Sequence, residues 1–450
     1  MLRATTVIFL LACLSAAPAF SQDQRSLTLD ESIAVSLEKS RTLHASRAGV
    51  DAAEARASEA SAAGLPSLKA NGSYTRLSEV PPFAITLPPP LSGSYTISPS
   101  IVNNYNLRLS LQQPLFTGFR VSSSASMTEN VAKAAGQEYN KDRAELVYSV
   151  TNAYWTLFKA IEFKKLIDEN AGQVKAHLQD VQNFLAQGMA TNNDLLKVQV
   201  QYSSVQLQQI DANNNVQLAM IGLNNVMGIP LETRITLASV PAQPESGAGD
   251  SLQRPSALTA LSVLVAQAIE RRPELKALDY RVQAGENGVT LARSGWFPQI
   301  YLSGNYNYAR PNQRYVPTQD LFKDSWDVSI VASWDLWNWG TTVHQTNQAQ
   351  AQLSQVMDAR SQLRDGVALE VTQAYLNLKQ SGERIAVAKQ NVDQAVENYR
   401  VTDERFKSGL ALNSDLLDAE VSMLQAKTSY TQSLVDYQLS NARLQKAIGQ

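Results

Sequence analysis

The sequence predicts a mainly α-helical fold with a membrane β-barrel portion: duplicated long coiled-coil helical hairpins, plus four β-strands per chain. Three observations carry that prediction. The 450-residue chain repeats itself as two large halves; each half holds two stretches of two-residue alternation; each then runs through nearly seventy residues without proline.

The repeat is read from short echoes. The stretch "FLAQGMATNNDLLKVQ" (Phe184 to Gln199) returns as "FKSGLALNSDLLDAE" (Phe406 to Glu420), with Gly188 and Gly409 lying 221 positions apart. The same offset pairs Asp194 with Asp415, Ala153-Tyr154 with Ala374-Tyr375, Leu115 with Leu336 and Gly228 with Gly449. Upstream the offset becomes 232, pairing Leu29 with Leu261, Leu43 with Leu275 and Pro66 with Pro298. The first half therefore carries an 11-residue insertion between Pro66 and Leu115. Two large halves, rather than an array of small units, follow from those offsets. The expected organisation is a leader over 1–21, a first repeat over 22–228, a linker over 229–258 and a second repeat over 259–450.

Each half has the same order of periods. Residues 29–64 are rich in Ala, Glu, Arg and Ser and read as a helix closed by "GLP"; "SGWFP" closes residues 259–294 the same way. The period then changes to two, with strands expected within about 67–115 and 299–336. Tyr105, Leu107, Leu109 and Leu111 alternate with Asn106, Arg108, Ser110 and Gln112; Trp326, Val328, Ile330, Ala332 and Trp334 share one face. Leu68–Leu77 and Ile300–Tyr308 alternate more weakly. Strands of about 9–11 residues with one apolar and one polar side suit a tilted membrane crossing.

The long segments from about Phe119 to Gln187 and from about Thr341 to Ser408 follow. Apolar residues at Val147, Val150, Tyr154, Leu157 and Ile161, and at Val174, Leu178, Val181 and Leu185, step by 3 and 4. The return segment steps likewise through Leu195, Val198, Tyr202 and Val205. These heptad-like steps point to long antiparallel coiled-coil packing. Near seventy residues at 1.5 Å per residue span roughly 100 Å. Two shorter helices stacked end to end match that length, which puts the Pro-, Gly- and Ser-rich linker, with a short strand at Arg234–Val240, near the middle.

Four strands cannot close a barrel alone. An exposed edge in lipid leaves backbone donors and acceptors unsatisfied, so subunits must share one barrel. Two chains give eight strands with a filled interior; three give twelve and an open lumen. The polar faces (Lys69, Asn71, Ser73 and Thr75; Asn106, Arg108, Ser110 and Gln112) suit water and favour the larger ring, although periodicity alone leaves both open. Five of the six tryptophans, Trp296, Trp326, Trp334, Trp337 and Trp339, flank the strands of the second half, with Tyr105, Phe116 and Phe119 at comparable places in the first. Aromatic girdles at the two membrane–water interfaces have this pattern. The competing account is a soluble β-sandwich with aromatics over its core.

Composition bounds the rest. Apolar content of 44% excludes wholesale disorder, and a net charge of −2 offers nothing to attract nucleic acid. The opening "MLRATTVIFLLACLSAAPAFSQ" reads as a secretory signal peptide, with cleavage after Ala19 or Ser21. Cys13, the one cysteine, lies inside it; "LLAC" faintly resembles a lipoprotein processing site, but the apolar core before it is very short, and filler is the preferred reading. Past the leader no run of 18 apolar residues is available for a transmembrane helix.

Taken together, the leader, the duplicated halves, the strand pairs, "QPLFTGFR" (Gln113–Arg120) entering a long helix and the Gly-centred hairpins resemble the TolC family. The likeness covers essentially the whole mature chain. It implies an outer membrane exit duct of efflux or type I secretion systems: a homotrimer with a twelve-stranded barrel and an α-helical tunnel through the periplasm. The partners it implies are a periplasmic adaptor (membrane fusion) protein, an inner-membrane transporter and outer membrane lipid. It implies neither cofactor nor catalysis.

The hairpins at Gly188-Met189 and Gly409-Leu410-Ala411-Leu412 then fall at the periplasmic tip of the tunnel. In this family the second-half hairpin carries two pore-facing aspartates one turn apart, and the matching positions are Asp415 and Asp418. Spacing i, i+3 puts both carboxylates on one helical face. Rings of such carboxylates hold cations. Asp415 also lies in a first helical turn, where a carboxylate caps free N–H groups, and Asp194 has that same position in the first copy. Capping is the main role expected of Asp194; pore and cap are both open for Asp415. Asp418, whose counterpart is Lys197, is the sharper pore candidate.

One departure matters. Where the family's best-known member locks its tip with an arginine and a tyrosine, this chain has Ala411 and Phe406. Closure must rest on other bonds or on packing by Met189, Leu410 and Leu412, which serve equally well as tip core or as an apolar surface for the adaptor. No enzyme signature stands out: His44, His177 and His344 are scattered and without an i, i+4 partner, and there is no phosphate-cradling loop or nucleophile elbow. No metal site is expected. The competing function is a secreted or periplasmic coiled-coil structural or adaptor protein, which accounts for the helices and leader but not for the matched strand pairs.

Overall fold

The computed structural model describes residues 25–90, 93–241 and 257–450. The expected leader, Cys13 and most of the expected linker lie outside the described residues. In the first half the order is β1 (Arg25–Leu27), α1 (Leu29–Lys39), α2 (Arg41–Ala62), β2 (Ser67–Arg76), β3 (Phe83–Leu87), β4 (Gly93–Ser98), β5 (Asn103–Phe116), α3 (Arg120–Ala186) and α4 (Asn192–Met227). After β6 (Ile235–Leu237) come α5 (Ala257–Arg271), α6 (Pro273–Arg293), β7 (Gln299–Arg310), β8 (Lys323–Ser333), α7 (Thr341–Lys407) and α8 (Asn413–Ala447). No described helix is long and apolar enough to cross a membrane.

The chain divides into two compact units that cut across the sequence halves: Met1–Ser40, Leu146–Gly249 and Gln380–Ser440 form one; Arg41–Glu145, Asp250–Lys379 and Asn441–Gln450 form the other. The second unit holds an antiparallel four-stranded sheet of order β2-β5-β7-β8. Its register carries the alternation across strands: Gly72 faces Leu107, Leu107 faces Tyr308, Leu109 faces Tyr306, and Tyr306 faces Trp326. Because side chains alternate along a strand, one face of the sheet is leucine, tyrosine, tryptophan, valine and isoleucine. Leu107, Leu109, Trp326, Val328 and Ile330 on that face are all exposed. The other face is polar and internally bonded. Arg108 Nε donates to Asn305 Oδ1 at 3.2 Å, and Asn305 Nδ2 donates to Asp327 Oδ2 at 2.8 Å. Strands β2 and β8 are the free edges, as a barrel shared among subunits requires.

Aromatic side chains gather at both ends of this sheet. Trp334 Nε1 donates to the Trp296 carbonyl at 3.2 Å, and Trp337 and Trp339 meet edge to face at 5.8 Å. Phe116, Phe119 and Phe297 form a second group of edge-on rings. At the opposite end Tyr105 contacts Tyr74 and Phe322, and Phe322 stacks on Tyr308. The insertion of the first half appears as a separate hairpin, β3 paired with β4, which sequence alternation alone did not single out.

The expected single helices over 29–64 and 259–294 are each broken. Ser40 and Arg272 adopt extended backbone (ψ 118° and 125°). Pro273 explains the second break, since a residue before proline is excluded from the helical region. Both breaks receive the end of a return helix. Gly228 (φ 70°) sits where a Cβ would lie 2.8 Å from the Lys39 carbonyl, and Gly449 (φ 80°) where one would lie 3.0 Å from Arg271 Cβ. Only glycine combines positive φ with that approach. Arg271 is also the 232-offset partner of Lys39, so repeat-related glycines seat on repeat-related helix ends.

Within the first unit, burial follows the heptad. Ile167, Val174 and Val181 on α3, and Val198, Val205 and Ala212 on α4, recur every seven residues and are sealed from solvent. A second cluster gathers Val150, Tyr154, Leu157, Leu223, Met227 and Ile235. The Tyr154 hydroxyl donates to the Leu27 carbonyl at 3.1 Å and accepts from Ser239 N–H at 2.9 Å, clamping the parallel β1–β6 pair to α3. The short strand expected at Arg234–Val240 is β6. The core of the second unit is Ala268, Leu275, Val367, Val371, Ala374, Tyr375, Leu444, Ala447 and Ile448.

Candidate gate at the hairpin tips

Both hairpin tips lie in the first unit and are built alike. Helix α3 ends with Gly188 in the left-handed region (φ 76°), and Met189 N–H donates to the Phe184 carbonyl at 2.8 Å. Helix α7 ends with Gly409 (φ 72°), and Leu410 N–H donates to the Arg405 carbonyl at 2.7 Å. A left-handed residue followed by a six-to-one hydrogen bond stops a helix and turns the chain within a few residues.

The return helices start differently. Thr191 caps α4 through a reciprocal box: Asp194 N–H donates to Thr191 Oγ1 at 3.2 Å, and Thr191 N–H donates to Asp194 Oδ2 at 3.1 Å. The bonds from the Thr191 hydroxyl and then its backbone hold the Asp194 carboxyl below the usual carboxylate range. In the second copy Leu412 replaces the threonine. Half the box survives, with Leu412 N–H donating to Asp415 Oδ2 at 3.2 Å. Asp415 and Asp418 are both exposed, one turn apart on α8. The Asp418 carboxylate has no hydrogen-bond or ion-pair partner among the described residues. Capping therefore accounts for Asp194, accounts for part of Asp415, and leaves Asp418 unexplained by local structure.

The tips are joined to each other by contacts that do not use the arginine–tyrosine lock. Asn413 Nδ2 donates to the Asp194 carbonyl at 3.3 Å. Phe406 is buried between His177 and Phe184, with ring centroids 5.1 Å and 5.6 Å away, and Ala411 packs against the same cluster. Met189, Leu410 and Leu412 are 64%, 69% and 69% exposed in the single chain. Sequence reasoning missed Asn413 and gave His177 no role beyond that of a scattered histidine. Its position three residues after the heptad valine Val174 was the available signal for burial.

No group of three or more metal-ligating side chains occurs among the described residues.

Paired hairpins with acidic tips in one unit, and in the other an open sheet with one apolar and one polar face, define a chain of the exit-duct type. The sequence model of the outer membrane efflux protein family matches residues 33–229 and 264–450, and the chain belongs to that family. It is an outer membrane efflux channel with a periplasmic helical portion, which replaces the coiled-coil adaptor reading. It is 25% identical over 346 residues to the alkaline protease secretion protein AprF of Pseudomonas aeruginosa, covering 76% of this chain and 69% of that one. It is 22% identical over 334 residues to the outer membrane protein TolC of Vibrio cholerae, covering 72% of each. Among solved structures, the outer membrane protein VceC of Vibrio cholerae matches with a TM-score of 0.75 at 18% identity, over 94% of this chain and 96% of that one. The MtrE channel of Neisseria gonorrhoeae, solved in its open state, matches at 0.71 and 17% identity, over 94% and 88%.

Proposed function

We propose that three copies close one twelve-stranded barrel in the outer membrane and continue it as a periplasmic helical tunnel, with the hairpin tips as its gate. The observation that carries the trimer is the open sheet: four strands, two free edges, an apolar outer face and a hydrogen-bonded polar face. A polar inner face needs water, and twelve strands leave a lumen where eight fill with side chains. The aromatic groups at the two ends of the sheet lie at the membrane–water interfaces. The chain works with a periplasmic adaptor and an inner-membrane transporter; its relatives are named for protease secretion and as the outer membrane protein of an efflux pump. The repeats extend over 22–228 and 259–450 about the linker 229–258, in keeping with the two matched segments.

At the tips, Asp415 and Asp418 from each copy form two acidic rings that hold cations in the throat, and the exposed Met189, Leu410 and Leu412 receive the adaptor. Outer membrane fractions run without boiling test the assembly. An SDS-resistant trimer is the expected result; a soluble monomer released by osmotic shock overturns it.

A further inference from the structure

His177 on α3 and Glu420 on α8 are the most deeply buried ionisable pair in the hairpin unit, at 4% and 1% exposure. The imidazole Nδ1 lies 3.5 Å from the carboxylate Oε1. Neither ring nitrogen and neither carboxylate oxygen has a hydrogen-bond partner among the described residues. Buried polar groups are almost always partnered, so each of these two has only the other. The pair joins elements from different hairpins: α3 belongs to the first and α8 to the second.

The surroundings are mostly apolar. Phe406 covers the imidazole edge-on, and Val174, Val181, Val198, Val205 and Leu416 belong to the same cluster. On α7 the Tyr399 phenol feels the charges of Glu420, Asp403 and Asp180, the last from α3; the Tyr202 phenol of α4 packs against the same cluster. Asp403 is already bound to Lys407 at 2.8 Å. Burial pushes the Tyr399 phenol up to about 12, with the Glu420 charge as the next cause, so that phenol stays neutral. No other base or acid in this group replaces either partner.

The duplication supplies an internal control. Under the 221 offset, His177 corresponds to Asn398 and Glu420 to Gln199, and both amides are exposed. The ionisable pair thus has no ionisable counterpart at the repeat-related positions.

We propose that His177 and Glu420 form a protonation-dependent latch that ties the first hairpin to the return helix of the second and holds the tip closed. This rests on the reading of the tips as a gate. An imidazolium facing a carboxylate in a low-dielectric site attracts it strongly, and a neutral imidazole does not. Histidine changes charge between about pH 5 and 8. The latch is therefore strongest at the acidic end of that range and weakens as pH rises through it.

Planar-bilayer conductance of the purified protein tests the latch. The expected result is a wild-type conductance that climbs severalfold from about pH 5 to pH 8. The double variant His177→Asn, Glu420→Gln, which copies the amides of the other repeat, is expected to conduct as freely at acidic as at neutral pH. A wild-type conductance flat across that range overturns the latch, whether or not any variant folds; so does a double variant with the wild-type profile. Divalent block that responds to Asp415 and Asp418 substitution while the pH profile stays flat keeps the gate and removes the latch. A pH profile abolished in the double variant alone, with block unresponsive to the aspartates, keeps the latch and removes the acidic rings.

Discussion

The amide of Asn413 reaches across from the second hairpin to the Asp194 carbonyl, 3.3 Å away, tying together the first turns of two helices that are 219 residues apart in sequence. The bond is side chain to backbone and partly buried, so it fixes the position of α8 against α4 where the chain reverses. Asn413→Ala should cost about 1 kcal/mol, the usual worth of such a hydrogen bond, read as a lower melting temperature of the oligomer. Leakier conductance in bilayers should accompany it. A variant unchanged in both would show that the tips are held by packing on Phe406 alone.

Asp194 makes the tip sensitive to acid in a predictable direction. Its carboxyl is held below the usual range by Thr191, so the folded tip binds that proton less readily than the unfolded chain does. The stabilisation is present above the ordinary carboxylate pKa of about 3.9 and is lost as pH falls below it. Thr191→Ala removes the box and should cost about 1 kcal/mol at neutral pH. The loss should shrink toward pH 3 in melting experiments; a loss that stays constant with pH would disconnect Asp194 from the cap.

Asp415 and Asp418 separate by experiment because only one caps. Asp415→Ala should lower stability by about 1 kcal/mol through the lost Leu412 N–H bond. Asp418→Ala, which removes an exposed carboxylate with no partner among the described residues, should leave melting unchanged within about 0.5 kcal/mol. Both together should weaken block of the channel by divalent cations. Unaltered block in the double variant would return both residues to purely local roles.

The two faces of the sheet predict opposite responses to charge. Ile330→Lys places an ammonium on the apolar face and should cost about 2–4 kcal/mol if that face meets lipid. Ser329→Lys, one residue away on the polar face, should insert normally. The yield of heat-modifiable oligomer in outer membrane preparations reads both. Equal yields would contradict the orientation of the sheet.

Gly228→Ala forces a side chain into positive φ and against the Lys39 carbonyl. Gly188→Ala meets only the strained φ, since nothing lies within 4 Å of its added Cβ. The first should cost clearly more than the roughly 1–2 kcal/mol expected of the second. Comparable melting of the two would mean that α1 and α4 are not firmly seated on each other.

The elements that the sequence revealed are those governed by repetition. Strand alternation and heptad steps recur over many residues, so Leu107, Ile330, Val174 and Val205 declare their faces without any knowledge of partners. The repeat offsets did the same for Gly188 and Gly409, whose conformation depends on the local chain alone. What stayed hidden depends on contacts between distant segments. The break at Ser40 has no proline to announce it and follows from seating Gly228 against Lys39. The burial of His177, the bridge from Asn413 and the exposure of Met189 and Leu410 depend on which helix lies opposite, which no single helix encodes.

The free edges of β2 and β8 have a consequence for how this chain reaches its destination. A lone copy placed in lipid would leave two rows of peptide groups without partners, at several kcal/mol for each group. Insertion is therefore barred to the solitary chain, and the step that commits it to the membrane must be of higher than first order in protein. Dilution should stall it as a water-soluble species, and the rate of appearance of membrane-embedded protein should rise more steeply than its concentration.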